Sequence, residues 1–533
     1  MSDGNRESSS TDIPFAVKKG PSDGIRPVQT NDTTALVDGK RVLREEDVFH
    51  KTAYAWSTKK KWAILSVVAL CQTSMNFNAA VYSNAIGGLN EHYGVTNARM
   101  GMVAFLVTYA FGCELWAPWS EEIGRFPIMQ ASLFFVNVSQ LFSALSVNMG
   151  MVFFGRAFGG LSSAGGSVTL GMVADMFDAD DQQFAVLWAS LWSCLGAVIG
   201  GICGGPIEAF LPWRWNFWIQ LIFGVVVQAI HFFGAEETRS TVMLDKEAKQ
   251  LRKSGEDTNI YGPNEVKTLK ERFPPKEIFE TMWRPYRMLL TEPIVLFLSL
   301  LSGFADALIF SFLESYGIVF KAWGFNEWHF GLAMIPLLIG YFASYFSFFP
   351  IVRRHNRLRK AGKLLSPETR LKLLCWETWL LPIGLLGSAF VVVGPPLPWI
   401  APLIFSVLIG MANYAIYFAT IDYMVAAYGK SSYAASATGG NGFARDFLAG
   451  MCALYTGPMY KNLGAQKSTF LLFGISVAVC IPVIAFYVYG ERIRKSSKFA
   501  QELQAKKETR ATDKDNLVSQ AKEQRVVDAG QAV

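Results

Sequence analysis

Residues 101–127 read GMVAFLVTYAFGCELWAPWSEEIGRFP. From Gly101 to Pro118 the only charged side chain is Glu114, and eighteen residues of helix at ~1.5 Å each span ~27 Å, close to the hydrocarbon thickness of a bilayer. A short charged link, Trp119 to Phe126, follows, and a second apolar run starts at Pro127. A link that short makes the chain turn back as soon as it has crossed. The same alternation recurs along the chain, with spans near 62–81, 101–118, 127–147, 151–174, 184–206, 215–235, 289–312, 329–350, 373–393, 398–421, 434–457 and 469–489. The expectation is an all-α membrane protein of twelve transmembrane helices.

Composition agrees. Of 533 residues, 51% are apolar and 17% charged, against about 25% charged in soluble domains. The 41 Phe and 15 Trp suit a lipid-facing surface, an interfacial belt and a bulky apolar cavity alike.

The basic residues are placed unevenly. Arg239, Lys246, Lys249, Arg252, Lys253, Lys267, Lys270, Arg272, Lys276, Arg284 and Arg287 lie between spans 6 and 7, and Arg353, Arg354, Arg357, Arg359, Lys360, Lys363, Arg370 and Lys372 between spans 8 and 9. The alternate links are poor in base. The positive-inside bias then puts both termini and the central loop in the cytoplasm.

The expected organisation is a disordered cytoplasmic tail over 1–60 and a six-helix bundle over 61–235. A cytoplasmic loop over 236–288 follows, carrying an amphipathic helix around Leu244 to Lys253. A second bundle spans 289–490, and a cytoplasmic tail 491–533. Six plus six is the layout of a transporter with two pseudo-symmetric halves. No cleavable signal peptide is read at the start, so the first span is its own insertion signal. All seven cysteines fall inside spans and no C-x-x-C occurs, which points to buried thiols and no metal site.

The link at Pro118, Ser120, Glu121, Gly124 and Arg125 resembles the helix 2–3 loop motif of the major facilitator superfamily, in the P-x-S-E-x-x-G-R form of fungal twelve-span drug:proton antiporters. The resemblance covers about residues 60 to 490. Phe154-Gly155-Arg156-Ala157-Phe158-Gly159-Gly160 is similar to the R-x-x-x-G signature, Trp213-Arg214-Trp215 to W-R-W, and Glu236-Glu237-Thr238-Arg239 to the sequence after helix 6. The resemblance implies a gate of Glu121, Arg125 and Asp175 that latches the inner side, and proton coupling or substrate contact at Arg156. Otherwise Arg156 is a structural arginine bound to backbone carbonyls. Helix 5 carries Gly196, Gly200 and Gly204, with Gly201, Gly205 and Pro206 beside them, a face along which another backbone packs closely. It resembles the antiporter motif G-x-x-x-G-P-x-x-G-G, with Gly201 in place of the central proline.

Intramembrane charge is expensive, at least ~2.5 kcal/mol for a central arginine, and so marks candidate sites. The candidates are Glu114, Asp306, Glu314, Arg445 and Asp446, with Asn76, Asn413 and Tyr417 as neutral partners. Glu114 and Glu314 are expected near span ends, within reach of water, and Asp306 deeper. Arg445 and Asp446 are adjacent, ~100° apart on a helix, so one is expected toward the cavity and the other toward the domain interface.

No catalytic site is recognised. Gly429-Lys430-Ser431 lacks the rest of a P-loop, the five histidines form no H-E-x-x-H, and no G-x-S-x-G occurs. The expectation is a proton-coupled secondary transporter, not an enzyme, with no cofactor, metal or nucleic acid. Its partners are a small molecule, protons and the lipid bilayer, and a monomer is expected. The resemblance implies export of a drug, polyamine or secondary metabolite across the plasma membrane, or alternatively the vacuolar membrane. Proton-coupled nutrient uptake and a non-transporting membrane sensor are the other readings.

Overall fold

The computed structural model describes residues 36–497 other than 38–39, 46, 164, 179–180, 364 and 430–431. The C-terminal segment from Lys498, the first 35 residues, and Lys430 and Ser431 of the glycine-lysine-serine triplet lie outside the described residues.

The long helices are α1 (Thr58–Val81), α2 (Met100–Glu122), α3 (Arg125–Ala144), α4 (Met149–Ser162, resumed as Gly165–Met176), α5 (Gln182–Phe210) and α6 (Trp215–Gly234). After the central loop come α7 (Pro293–Val319), α8 (Ile335–Lys360), α9 (Leu374–Glu377, resumed as Leu380–Val391) and α10 (Ile400–Tyr428). Helical structure then runs from Ser432 to Ser496, interrupted at Gly464, where φ is 80° and ψ 163°. That conformation is open to glycine and closed to most other residues. Sixty-five helical residues would reach ~97 Å, three times the membrane. The chain therefore reverses there, giving α11 (432–463) and α12 (465–496).

Nine helical stretches among the described residues are long and apolar enough to cross a membrane unaided, and one of these, Tyr433–Ser496, holds both α11 and α12. The other two passes are α3 and α4. Helix α3 is diluted by polar residues that face α6: Asn137 Nδ2 donates to Gln228 Oε1 at 2.9 Å, and Gln130 Nε2 lies 2.6 Å from His231 Nδ1. Helix α4 breaks at Ser163, which is extended (ψ 115°). A carbonyl freed by such a break needs a partner in a dry interior, and Trp116 Nε1 donates to Leu161 O at 3.0 Å.

Helix α1 packs on α5 and α6, α4 on α2 and α3, α8 on α10, and α7 on the α11–α12 pair. The halves meet along α2 against α11 and along α5 against α8 and α10. An even number of passes puts the start of α1, the central loop and the end of α12 on one side, here the terminal face; the opposite side is the far face.

The terminal face carries an ordered cap, which corrects the expectation of a disordered tail up to residue 60. Strand β1 (Leu36–Val37) pairs antiparallel with β2 (Lys40–Val42), and β2 pairs parallel with β3 (Ile260–Tyr261) in the central loop, Arg41 opposite Ile260. Leu43 is buried with Leu244, Ala248 and Ile260. A tail read as polar thus places Leu43, with Val48 packed alongside, against the loop helix Ser240–Ser254. Arg252 locks the cap by donating to both carboxylate oxygens of Glu265 at 2.7 and 2.8 Å and to Ile260 O at 2.6 Å.

Candidate functional site

At the terminal face, α2 ends and α3 begins around Gly124, whose φ of 120° favours glycine and where a side chain would collide with Glu237. Glu237 caps the exposed N–H groups of α3: Arg125 N donates to Oε1 at 2.9 Å and Phe126 N to Oε2 at 3.2 Å. Arg125 points back into the corner, donating from Nη1 to Ser120 Oγ at 2.6 Å and from Nε to Asp175 Oδ2 at 3.0 Å. Arg239 approaches Asp175 at 3.9 Å.

The expected trio is corrected in one member. Among the described residues the Glu121 carboxylate has no ion pair; its backbone carbonyl accepts from Arg239 Nε at 3.2 Å, and its side chain faces a cavity mouth. Every link of this corner joins elements of the first half or the loop that follows it. Pro118 lies inside the last turn of α2, just before this corner.

Between the halves lies a cavity of about 630 Å³. Its mouth, at the terminal face, is lined by Glu121, Arg125, Asp175, Arg239, Arg359 and Arg370, and its floor by Gln72, Ser193, Tyr417, Asn441, Arg445 and Asp446. At the floor Ser193 Oγ of α5 and Tyr417 Oη of α10 lie 2.8 Å apart, bridging the halves. Asn76 Nδ2 donates to Ser193 Oγ at 3.1 Å.

Arg445 donates to Asp446 Oδ1 from Nη2 at 2.9 Å and from Nε at 3.0 Å, and its Nε stands 4.0 Å from Asp306 Oδ2. Its guanidinium lies 4.6 Å from the centre of the Tyr417 ring. This corrects the expectation that the adjacent pair faces two ways. A long arginine side chain folds back along the helix, and both residues line the same cavity.

Glu114 is a second correction. Expected in water near a span end, it is 5% exposed, lines the cavity, and makes no ion pair or hydrogen bond among the described residues. Helix α2 reaches Glu122, two turns further, so the carboxylate is set well inside it, against Gly439 of α11.

On the far face the cavity is closed by glycines. Helix α5 runs unbroken through Gly201 and Pro206. Gly196, Gly200 and Gly204 face α1 and the turn after it, where added side chains would meet Thr73 O, Ala80 and Asn84. Gly201 and Gly205 face the second half. A Cβ on Gly205 would come within 2.8 Å of Glu327 O and 2.9 Å of Gly331 Cα, in the short helix Glu327–Leu332. One helix thus carries two glycine faces, one binding its own half and one the partner half. Glu314, expected at the outer end, is half-buried there, and its carboxylate and Arg99, just before α2, both converge on Gly457.

Arg156 is not part of the cavity lining. It is 1% exposed within the first half, donating from Nη1 to Asn78 O at 3.1 Å and Oδ1 at 2.8 Å, and from Nε to Gly101 O at 3.4 Å. Its guanidinium lies 4.5 Å from the Tyr82 ring centre and 4.1 Å from that of Phe105. These contacts, to carbonyls and between two rings, are those expected of a structural arginine. Asn413 is buried away from the cavity. Of the cysteines, Cys203 is exposed and Cys375 half-buried, which corrects the expectation that all are buried.

A bridge between the halves escaped the sequence reading. Gln183 at the start of α5 donates to Asp422 Oδ2 of α10 at 2.5 Å and accepts from Arg359 Nη2 of α8 at 2.6 Å, while Arg370 pairs with Asp422. Asn356 Nδ2 donates to Asp181 Oδ1 at 2.7 Å. An aspartate at a span end reads as solvated, and a lone glutamine carries no motif. Only the meeting of the two bundles gives them a role.

The sequence matches the family model for the Major Facilitator Superfamily over residues 68–453. It is 30% identical over 487 residues to the MFS-type transporter paaT of Penicillium rubens, covering 89% of this chain and 86% of that one. It is also 30% identical to the multidrug transporter TPO1_1 of Candida glabrata, covering 84% of this chain and 79% of that one. Among solved structures, the proton:xylose symporter XylE superposes with a TM-score of 0.58 at 16% identity, over 81% of this chain and 97% of that one. Fold, helix order and sequence agree: the chain is an integral multi-pass membrane transporter that belongs to the major facilitator superfamily.

Proposed function

We propose that the protein is a proton-coupled exporter of small amphiphilic or cationic organic compounds, working by alternating access. The observation that carries this reading is the cavity itself, open at the terminal face, shut by glycine packing at the far face, and floored by Arg445 and Asp446, with Asp306 4.0 Å from Arg445. Carboxylates that share one arginine in a dry site exchange a proton when that arginine's attention shifts from one to the other. A cargo at the floor competes for the same groups, which links its release to proton uptake.

The basic links support a cytoplasmic terminal face, and so a mouth open to the cytoplasm. The bundles over 61–235 and 289–490 then rock about the floor as one monomer. The corner of Ser120, Arg125, Asp175 and Glu237 keeps the first half rigid while it moves. The similarity to a multidrug transporter and the acids in the cavity support a plasma-membrane exporter of foreign or secondary compounds.

The test is reconstitution into liposomes with an imposed pH step, screening cationic dyes, amines and neutral aromatic compounds. Saturable movement of a compound, abolished by a protonophore, is the expected result. Movement that ignores the protonophore would remove proton coupling.

A further inference from the structure

The charges that line the cavity are unevenly compensated. Arg125 and Arg239 share Asp175, Arg445 holds Asp446, Arg370 holds Asp422, and Arg359 donates to Gln183. Each lining arginine thus has an acceptor. Among the described residues two lining carboxylates, Glu114 and Glu121, have no basic or hydrogen-bonding partner for their side chains. Glu121 is half-buried at the mouth, where water serves it. Glu114 is 5% exposed, seven residues deeper on α2, or ~10 Å at helical rise.

A second observation stands beside it. Asn441 of α11 is 1% exposed and lines the same cavity, yet neither its Oδ1 nor its Nδ2 has a partner. Such groups are costly to bury unless something else meets them. The seam between α2 and α11 is also aromatic. Tyr286 packs edge-on to Phe443 at 4.8 Å, and Phe111 edge-on to Phe443 at 5.0 Å. Burial pushes the Tyr286 hydroxyl above its ordinary range, and the nearby Glu114 carboxylate adds to this.

We propose that Glu114, set against Gly439 of α11, forms a cation-recognition subsite at the α2–α11 seam, taking the positively charged head of a lipophilic monocation, with the unpartnered Asn441 lining the same cavity. This rests on the transporter reading and deepens it by dividing the cavity in two. Arg445 and Asp446 at the floor, with Asp306 behind them, form a group in which two carboxylates share one arginine, and this group handles protons. Glu114 is a buried carboxyl with no basic partner among the described residues, costly to ionise alone; a bound cation offsets that cost, so its charge selects cargo by sign. A neutral compound of the same shape gains nothing from that charge, and an anion is repelled by it. Glu121, on the same face of α2 nearer the mouth, draws the cation in.

The test is equilibrium binding to purified full-length protein in detergent, without any gradient, so that it stands apart from transport. The probes are tetraphenylphosphonium and its neutral near-isostere triphenylphosphine oxide. Wild-type protein binds the cation saturably, and Glu114→Gln weakens it at least about tenfold while changing the neutral probe's affinity less than about twofold. Glu114→Asp restores most of the cation binding. Wild-type protein that does not bind the cation, a Gln variant that binds it as before, or equal loss of both probes would each overturn the subsite. Proton-driven flux of a neutral compound by a protein that fails this test would leave the transporter reading standing.

Discussion

Arg445 and Asp446, consecutive on α11, close on one another at 2.9 Å over the floor of the cavity, with Asp306 of α7 4.0 Å from the same guanidinium. One buried positive charge therefore faces two carboxylates. Removing one partner of such a pair costs about 3–5 kcal/mol when the other is left uncompensated. Asp446→Asn is expected to leave Arg445 with Asp306, keeping fold and exchange of cargo while losing gradient-driven accumulation. Arg445→Ala leaves two acids facing each other and is expected to lose both. Comparing counterflow with pH-driven uptake in the two variants checks this; full accumulation by Asp446→Asn would remove it from coupling.

Gly205 offers a control on the far face. A side chain there has no room against Glu327 and Gly331. Gly205→Val is expected to hold the far face open, and overpacking of this kind costs about 1–3 kcal/mol. Cargo flux should fall at least about tenfold, since ~1.4 kcal/mol is already a factor of ten, while a thiol reagent added from the far side reaches a cysteine placed at Ser193. An unreactive cysteine in that variant would contradict the seal.

Arg156 separates scaffold from machinery. Its guanidinium lies between Tyr82 and Phe105, with carbonyls as partners and outside the cavity. Arg156→Ala is expected to lower stability by about 3–5 kcal/mol, as large deletions in a packed core do. Flux per folded molecule, from thermal unfolding and transport on one preparation, should stay within about twofold of wild type, which is ~0.4 kcal/mol. A fully stable variant with no flux would assign Arg156 to the chemistry instead.

The cap on the terminal face should respond to acid. Arg252 holds the Glu265 carboxyl below its ordinary range, while burial holds that of Asp245 above it. A depressed carboxyl adds stability that is complete above its unfolded value and lost as pH falls through its folded one; a raised one acts in the opposite sense. From neutral pH downward Asp245 protonates first, which favours the cap, and Glu265 only afterwards, which opens it. Spin labels at Arg44→Cys and Ser254→Cys should keep a narrow distance until pH falls below the ordinary glutamate range. Arg252→Ala should broaden it already at neutral pH, and a narrow distribution in that variant would sink the clasp.

Much of the architecture was legible because apolar length and the placement of basic residues are properties of single segments. The turn at Gly124 and Arg125 was legible for the same reason, since acid, glycine and arginine sit within a few residues. Its partner Glu237 lies more than a hundred residues on and announces nothing by itself. Depth within a bundle was the weak point. Glu114 and Arg445 were assigned directions from their places along a helix, but burial depends on which neighbouring helix covers that face. The pair across Gln183 and Asp422 exists only because α5 meets α10, a contact between halves that no local pattern encodes.

Alternating access is tested most directly by two distances in one protein. Spin labels at Ile123→Cys and Lys363→Cys report the terminal-face mouth, and labels at Val147→Cys and Leu463→Cys report the far face; all four positions are exposed. Adding a transported cation or changing the pH should shorten one distance as it lengthens the other. Two distances that stay fixed, or move in the same direction under every condition, would contradict alternating access.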